Sequence, residues 1–419
     1  MVPRQPVSPL RILFFNRSYY PDVGATGQLL TELTEDLARN YGCQISVVAG
    51  PALVGPAQGW SRGWPPLRRE YHRGIEILRA WGTTLRPRRF AGRVTNYITY
   101  FLSSCLAALY VRRADVVVSL TDPPIIGLAA FLTARWNRAP FVLVCQDVFP
   151  EVARLLQGFQ SRTLNELLDR ISRFLIQKAD RIVAIGETMR ERLVQEKGAD
   201  KGKVRVIHNW ADCSAISPGE KRNPFSLANE LADKFVVMHS GNLGLSQGLE
   251  IILRTAACLT EFPRIQIVFV GDGVTKAVLE KQVQVQGLRN VRFLPYQPKE
   301  SLKDSFASAD VFVISLKQGL AGYIVPSKLY GILAAGRPYV ACVEEACEVT
   351  TITRKYDCGL LAESDNPQDL ADKILALYRD QSRTKLLGEN ARKAALAFDR
   401  PLGVSAYYKL FSELKGFRS

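Results

Sequence analysis

Residues 235–250 read FVVMHSGNLGLSQGLE, and the fold is decided there. Phe235 to Met238 form an unbroken apolar run bounded by polar residues, which reads as a buried strand. Gly241 and Gly244 let the backbone turn tightly, and a helix opens near Gln247. Exposed N–H groups at such a helix start suit phosphate oxygens. The spacing is neither a Walker loop nor the dinucleotide GxGxxG, so a plain strand–helix turn stands beside the phosphate reading.

The same alternation recurs in both directions from this stretch. Downstream lie IQIVFVGDG (265–273), VRFLPY (291–296), DVFVISL (310–316), PYVACV (338–343) and GLLAES (359–364). Upstream lie RILFFN (11–16), ISVVAG (45–50), DVVVSL (115–120), FVLVCQD (141–147), RIVAIG (181–186) and VRVIHNW (204–210). Helical periods separate most of them, for example 26–40 and 164–179. Continuous Val/Ile runs between helices indicate parallel sheets covered on both faces. The α/β class follows, with two doubly wound domains: 1–212, and 213–399 after a linker at 212–234. The stretch 400–417 has no strand partner and is expected to pack back on the first domain. Ligands of such sheets bind beyond the carboxyl ends of the strands, which makes the cleft between domains the default site.

A chain of 419 residues with 47% hydrophobic and 23% charged residues is folded and too long for one ordinary domain. The net charge of +15 sits mostly in front, with 29 Lys+Arg against 17 Asp+Glu in residues 1–210. The eight cysteines form no CxxC, and three histidines complete no zinc set with them. They read as reduced core residues of a cytosolic protein. No apolar leader precedes the first strand. The stretch 94–111, VTNYITYFLSSCLAALYV, is interrupted by polar residues and reads as a buried crossover helix rather than a membrane span.

Several residues are candidates for chemistry. In VPSKLYGILAAGRP (325–338), Pro326 and Ser327 open a helix whose first turn carries Lys328, against the sense of the helix dipole. Gly319 and Gly322 precede it, so Lys328 reads either as the counter-charge of a bound anion or as an ordinary exposed lysine. In PDVGATGQ (21–28), Gly24, Thr26 and Gly27 place a second set of amides at a helix start. Asp147 and Glu151 bracket Pro150 as cleft carboxylates suited to sugar hydroxyls or acid–base work, or else as a cap and a surface acid. Asn209 and Glu187 end neighbouring strands, and Glu187 reads equally as a partner of its helix dipole.

These motifs, taken in order over nearly the whole chain, resemble family-4 retaining glycosyltransferases of the GT-B architecture. The set comprises YYPDVGATGQLLTELTEDLA, VAIGETMRERL, VIHNW, SGNLGLSQGLE, GDG, FLPYQPKESL, VPSKLYGILAAGRP and CGLLAES. It is most similar to the colanic-acid and O-antigen sugar transferases (WbuB-like). The resemblance implies a nucleotide-sugar donor, UDP-linked, on the second domain. Its diphosphate would lie over Gly241, Asn242, Leu243, Gly244 and Gln247 and the Lys328 helix start. Gly271 and Asp272 would join that turn, and Tyr296 and Gln297 would meet the base. Gly322, Tyr323, Ile324, Val325, Pro326 and Ser327 would complete the donor side. The acceptor would lie on the first domain, near Gly24, Ala25, Thr26, Gly27, Gln28, Asp122 and Asn209. Catalysis is expected of Lys328, Asp147 and Glu151.

Departures from the family are specific. The usual Glu-x7-Glu pair falls on Tyr323 and Gly331, and the usual Arg and Lys of the diphosphate turn fall on Asn242 and Gln247. Lys328 is then left to meet the diphosphate charge. No Asp-x-Asp occurs, which points to an enzyme without metal or other cofactor. Residues 58–113 hold 11 arginines against Glu70 and Glu76. With Trp60 and Trp64 they suit an anionic membrane surface. Nothing matches a nucleic-acid module. The expected protein is cytoplasmic, peripheral to the inner face of the cell membrane, and extends a lipid-linked or polysaccharide acceptor. A non-catalytic nucleotide-sugar-binding relative and a nucleotide-sugar epimerase on the same fold are the alternatives.

Overall fold

The computed structural model describes residues 9–22, 24–51, 67–83, 85, 90–111, 113–157 and 161–416. The chain forms two compact units. One comprises residues 1–154, 159–208 and 403–419; the other comprises 155–158 and 209–402.

The first unit is built on β1 (Arg11–Phe15), β2 (Gln44–Ala49), β3 (Leu67–His72), β4 (Ile75–Ala80), β5 (Val116–Leu120), β6 (Phe141–Cys145), β7 (Arg181–Ala184) and β8 (Val204–Val206). Their order is β3-β4-β2-β1-β5-β6-β7-β8. Seven strands run parallel and β3 is antiparallel on the edge. From β1 the chain steps one way to β2, and from β5 the opposite way through β6 to β7. With right-handed crossovers, the helices fall on both faces of the sheet. Helix Ala25–Tyr41 covers one face together with residues 403–416, where Tyr41 stacks on Tyr408 at 4.1 Å and Phe14 meets Phe411 edge-on at 6.0 Å. Helices Phe90–Leu109, Ile126–Asn137 and Arg162–Lys178 cover the other.

The second unit carries β9 (Phe235–Ser240), β10 (Ile265–Val270), β11 (Val291–Leu294), β12 (Val311–Ser315), β13 (Tyr339–Cys342) and β14 (Gly359–Ala362), ordered β11-β10-β9-β12-β13-β14 and all parallel. The chain winds outward from β9 to β11 and, in the opposite direction, from β12 to β14. Strand direction of travel therefore reverses between β9 and β12, and loops after these two strands border the crevice where such sheets take ligands. The apolar runs are buried along their length, with Val237, Ile267, Phe269, Val313 and Val340 in one core cluster.

The structure differs from the sequence expectations at four points. The hairpin β3–β4 was not foreseen. Arg73 and Gly74, both at positive φ (47° and 83°), make the two-residue turn that suits strand twist, with Arg where Asn or Asp usually signals it. Residues 212–234 are not a loose linker. The Arg392 guanidinium donates to the carbonyls of Cys213, Ile216 and Ala334, and Asn223 and Ser226 form a capping box at helix Pro224–Ala228. The units divide at 208/209 rather than 212/213, because Ala211 bridges to Asp399 and the Cys213 amide donates to its carboxylate. Six cysteines are buried, whereas Cys105 is half-buried and Cys258 is exposed.

Candidate functional site

In the second unit the turn after β9 is knitted to the turn after β10. Gly241 N donates to Val270 O, and Leu243 N donates to Asp272 O at 2.8 Å. The Leu243 carbonyl accepts from both the amide and the hydroxyl of Thr275. The two backbones pass so close that a Cβ on Gly271 would lie 2.0 Å from Gly241 O, and one on Gly273 would lie 2.3 Å from Leu243 O. Both glycines also hold positive φ (147° and 159°), so no other residue fits there. Leu243 itself is a core side chain with its backbone groups engaged, so its expected contact with a donor is corrected. Asp272 is exposed and its Oδ1 accepts from Gly273 N.

Gly244 is different. Its amide donates to Gln247 Oε1 at 2.9 Å, a side-chain cap that an anion can displace. The helix expected near Gln247 is only a 3-10 turn, Leu245–Gln247, broken by Gly248 at φ 56°. The α-helix begins at Glu250.

The loop after β12 folds over this turn. Lys317 N donates to Ser246 O, and Glu344 Oε2 accepts from Gly319 N (2.9 Å) and Ala321 N (3.4 Å). Those amides hold the loop in shape rather than awaiting a ligand, a role for Glu344 that the sequence reading did not find. Tyr323 N donates to Leu320 O, and Val325 is buried in the core.

Lys328 begins a helix of seven residues, Lys328–Ala334, in which the Ser327 side chain makes no cap bond. Leu329 N and Tyr330 N close back on Pro326 O and Ser327 O, so the helix start offers less to an anion than expected. The charge is what stands out. Lys328 Nζ donates to His239 Nε2 at 2.8 Å, and His239 lies two residues before Gly241 at the end of β9. One lysine thus links the loops of β9 and β12 at the crevice. Loss of water around the ammonium pushes Lys328 down to about 7. Burial first, and the adjoining Lys328 charge second, hold His239 well below its usual range, so it stays neutral and accepting. His239 was missed as a site residue; its signal was a polar side chain in a buried strand next to a glycine turn. At Gly331, where the family carries its second glutamate, a Cβ would sit 2.9 Å from Phe306 Cε2, and the Phe306 ring fills that position. Tyr296 is exposed beyond β11, while Gln297 Nε2 donates to Pro295 O. A cavity of about 440 Å³ adjoins the turn, lined among others by Gly244, Gly248, Lys317 and Arg254.

In the first unit the loops after β1 and β5 meet at the corresponding reversal of strand order. Arg17 pairs with Asp122 at 3.3 Å, and Arg17 N donates to Asp122 O. The Asp122 charge is the largest cause holding Arg17 protonated. Asp147 follows β6, and its amide donates to Thr121 Oγ1. Burial, with the like charge of Asp122 second, pushes Asp147 up to about 7. Helix Ala25–Tyr41 starts after Gly24 with no side-chain cap and no acid in its first turn, leaving Ala25 exposed and Thr26 and Gln28 half-exposed. Gly27 is buried, and a Cβ there would meet Ser18 Oγ at 2.8 Å, so it serves packing. Asn209, in the second unit, is buried.

Glu151 is corrected. Its Oε1 accepts from Lys197 Nζ at 2.7 Å, and Asp169 Oδ1 accepts from the same ammonium at 2.6 Å. The Lys197 side chain has no exposed surface, so Glu151 neutralises a buried charge. Glu187 pairs with Arg190 on its own helix.

Two family models match the chain. Glycosyl transferases group 1 covers residues 222–394 and the glycosyl transferase 4-like domain covers 24–210. WbjE of Pseudomonas aeruginosa, named as a glycosyltransferase, is 32% identical over 279 residues, 65% of this chain and 68% of that one. WcaI of Escherichia coli K12, named for colanic acid biosynthesis, is 26% identical over 359 residues, 83% of this chain and 86% of that one. Among solved structures, Anabaena HepE in complex with UDP and glucose superposes with a TM-score of 0.73 at 17% identity, covering 96% of this chain and 99% of that one.

Proposed function

Since the chain belongs to the family-4 glycosyltransferases of GT-B fold, colanic-acid and O-antigen type, we propose how its two units divide the work of sugar transfer in cell-surface glycan synthesis. The donor is a nucleotide-diphosphate sugar, in our reading UDP-linked, held by the second unit. The observation that carries this is the Lys328–His239 contact at the reversal between β9 and β12. A diphosphate arriving there takes the Lys328 ammonium, and a phosphoryl oxygen replaces Gln247 Oε1 on the Gly244 amide. Support for the base being uracil comes from HepE, which binds UDP.

Glycosyl transfer passes through an oxocarbenium-like state, with negative charge growing on the departing diphosphate. Lys328 and the Gly244 amide stabilise that charge more as it grows, which lowers the barrier. On the first unit, Asp147 has a proton affinity suited to accepting the proton of an incoming hydroxyl near neutral pH. The acceptor is a lipid-linked or polysaccharide chain near Gly24–Gln28 and Asp122. No metal is needed in this reading, because positive charge already stands at the diphosphate.

The protein works at the inner membrane face as a peripheral enzyme. Among the described residues no helix is long and apolar enough to cross a membrane. The segment 58–113 supports this less than its composition implied. Arg69 pairs with Glu76, Arg73 with Glu35, and buried Arg79 with Glu70. Trp60, Trp64 and the arginines at 62, 86, 88, 89 and 112 lie outside the described residues.

A thermal-shift screen over UDP-, GDP- and TDP-sugars, followed by transfer to membrane extracts with the donor that binds, tests the proposal. Stabilisation by a UDP-sugar and its turnover are expected. Absence of turnover with every donor, membranes present, overturns it.

A further inference from the structure

Helices Phe90–Leu109, Ile126–Asn137 and Arg162–Lys178 lie side by side on one face of the first sheet, the middle one touching both neighbours. Their inward faces close the core. On the first two helices the exposed residues are mostly apolar where a solvated surface would be polar, whereas the third sets Leu167 and Phe174 among exposed charges such as Glu166, Arg170 and Arg173. On the first helix Ile98, Leu102, Leu106 and Leu109 recur at steps of four, four and three, one exposed stripe along its length. On the second, Leu132 and Trp136 share a face, and Trp136 is 82% exposed, an extreme value for the largest aromatic. On the third, Leu167 and Phe174 continue the patch, with Phe174 meeting Phe131 edge-on at 5.3 Å. Apolar surface gathered on three adjacent elements marks an interaction site rather than scattered exposure.

Charge selects the occupant. Neither of the first two helices contains an acidic residue. At the C-terminal end of the second helix opens a cavity of about 550 Å³ lined by Phe131, Phe141, Arg135, Arg138 and Lys178 against a single acid, Asp180, whose Oδ2 accepts from Phe141 N. Arginine and tryptophan beside an apolar stripe match the headgroup depth of an anionic bilayer, where rings lie in the interface and guanidinium groups meet phosphate.

We propose that this three-helix face docks the first unit onto an anionic lipid surface. The inference rests on the peripheral reading above but moves the contact from segment 58–113 to these helices. Docking there restricts the enzyme to the plane in which a lipid-linked acceptor diffuses.

Sedimentation with phosphatidylglycerol–phosphatidylcholine vesicles at about a 1:2 ratio tests it, with soluble donor hydrolysis measured alongside. The wild type pellets with these vesicles and less with phosphatidylcholine alone. Leu132→Ser/Trp136→Ser combined with Leu102→Ser/Leu106→Ser weakens partitioning by about tenfold or more, while donor hydrolysis is unchanged. Because these side chains are exposed, the variants keep their fold, which circular dichroism checks. Trp136 fluorescence, quenched by brominated lipid and lost in Trp136→Ser, reports insertion even where overall binding persists. Variants that pellet like the wild type, or a wild type that ignores anionic vesicles, overturn the proposal. So does a loss of self-association in the variants with vesicle binding intact, which would assign the face to a second copy. Vesicle binding without any donor turnover would instead overturn the proposed function and leave the docking face standing.

Discussion

Donor binding should draw a proton from solution above neutral pH. With the crevice empty, Lys328 is pushed down to about 7 by loss of water, and its nearest polar neighbour is His239 Nε2 at 2.8 Å. A diphosphate beside it favours the charged ammonium and raises that value. The free protein then binds fewer protons than the complex in the window above 7, so affinity is highest below it. At about pH 8 roughly nine in ten empty sites lack the proton, so each binding event takes up about 0.9 proton; at about pH 6 it takes up about 0.1. Affinity for the sugar nucleotide falls about tenfold per pH unit above 7 until the bound-state value is reached. His239 stays neutral throughout and contributes nothing to the count. Calorimetry at each pH in two buffers of different ionisation enthalpy reads the uptake directly, and Lys328→Met separates this proton from any held by Asp147. Uptake near zero on the alkaline side, or uptake that survives in Lys328→Met, would refute the reasoning.

Gly271→Ala puts a methyl 2.0 Å from Gly241 O at a φ of 147°, so a loss of about 3 kcal/mol in denaturant unfolding is expected, with donor affinity falling too. Asp147→Asn should lower kcat by about 10²–10⁴ and remove the acidic limb of the pH–rate profile, which rises as Asp147 deprotonates near 7. Asp122→Asn removes the like charge and moves that limb to lower pH; an unmoved limb assigns it to another group. Glu151→Gln leaves the buried Lys197 with Asp169 alone and should cost about 2 kcal/mol of stability, with activity per folded molecule retained. Lost activity without lost stability would return Glu151 to the chemistry.

Twelve of the strands were legible because they are short Val/Ile runs between helical periods, and burial on both faces needs that pattern. The hairpin was not, because LRREYH puts three charged residues in succession, with no apolar run or alternation, and its turn is Arg-Gly. At the site, the sequence located the glycine turn and Lys328 but not what each amide does. Backbone pairing of Leu243 with Asp272 and Thr275, or the Glu344 carboxylate accepting from the Gly319 amide, depends on loops distant in sequence coming together, and local pattern carries no record of it. Glu151 was misread for a similar reason. Its partner Lys197 lies 46 residues away, and only the fold brings them together. The exposed face of Phe90–Leu109 was read as buried because an apolar stripe looks alike whether protein or lipid covers it.

A crystal structure with a non-hydrolysable sugar nucleotide tests the central claim most directly, through one distance. The account predicts Lys328 Nζ turned from His239 to within about 2.7–3.2 Å of a diphosphate oxygen, with a second oxygen on the Gly244 amide. A diphosphate bound elsewhere, with Lys328 still donating to His239 and Gln247 still capping Gly244, would contradict it.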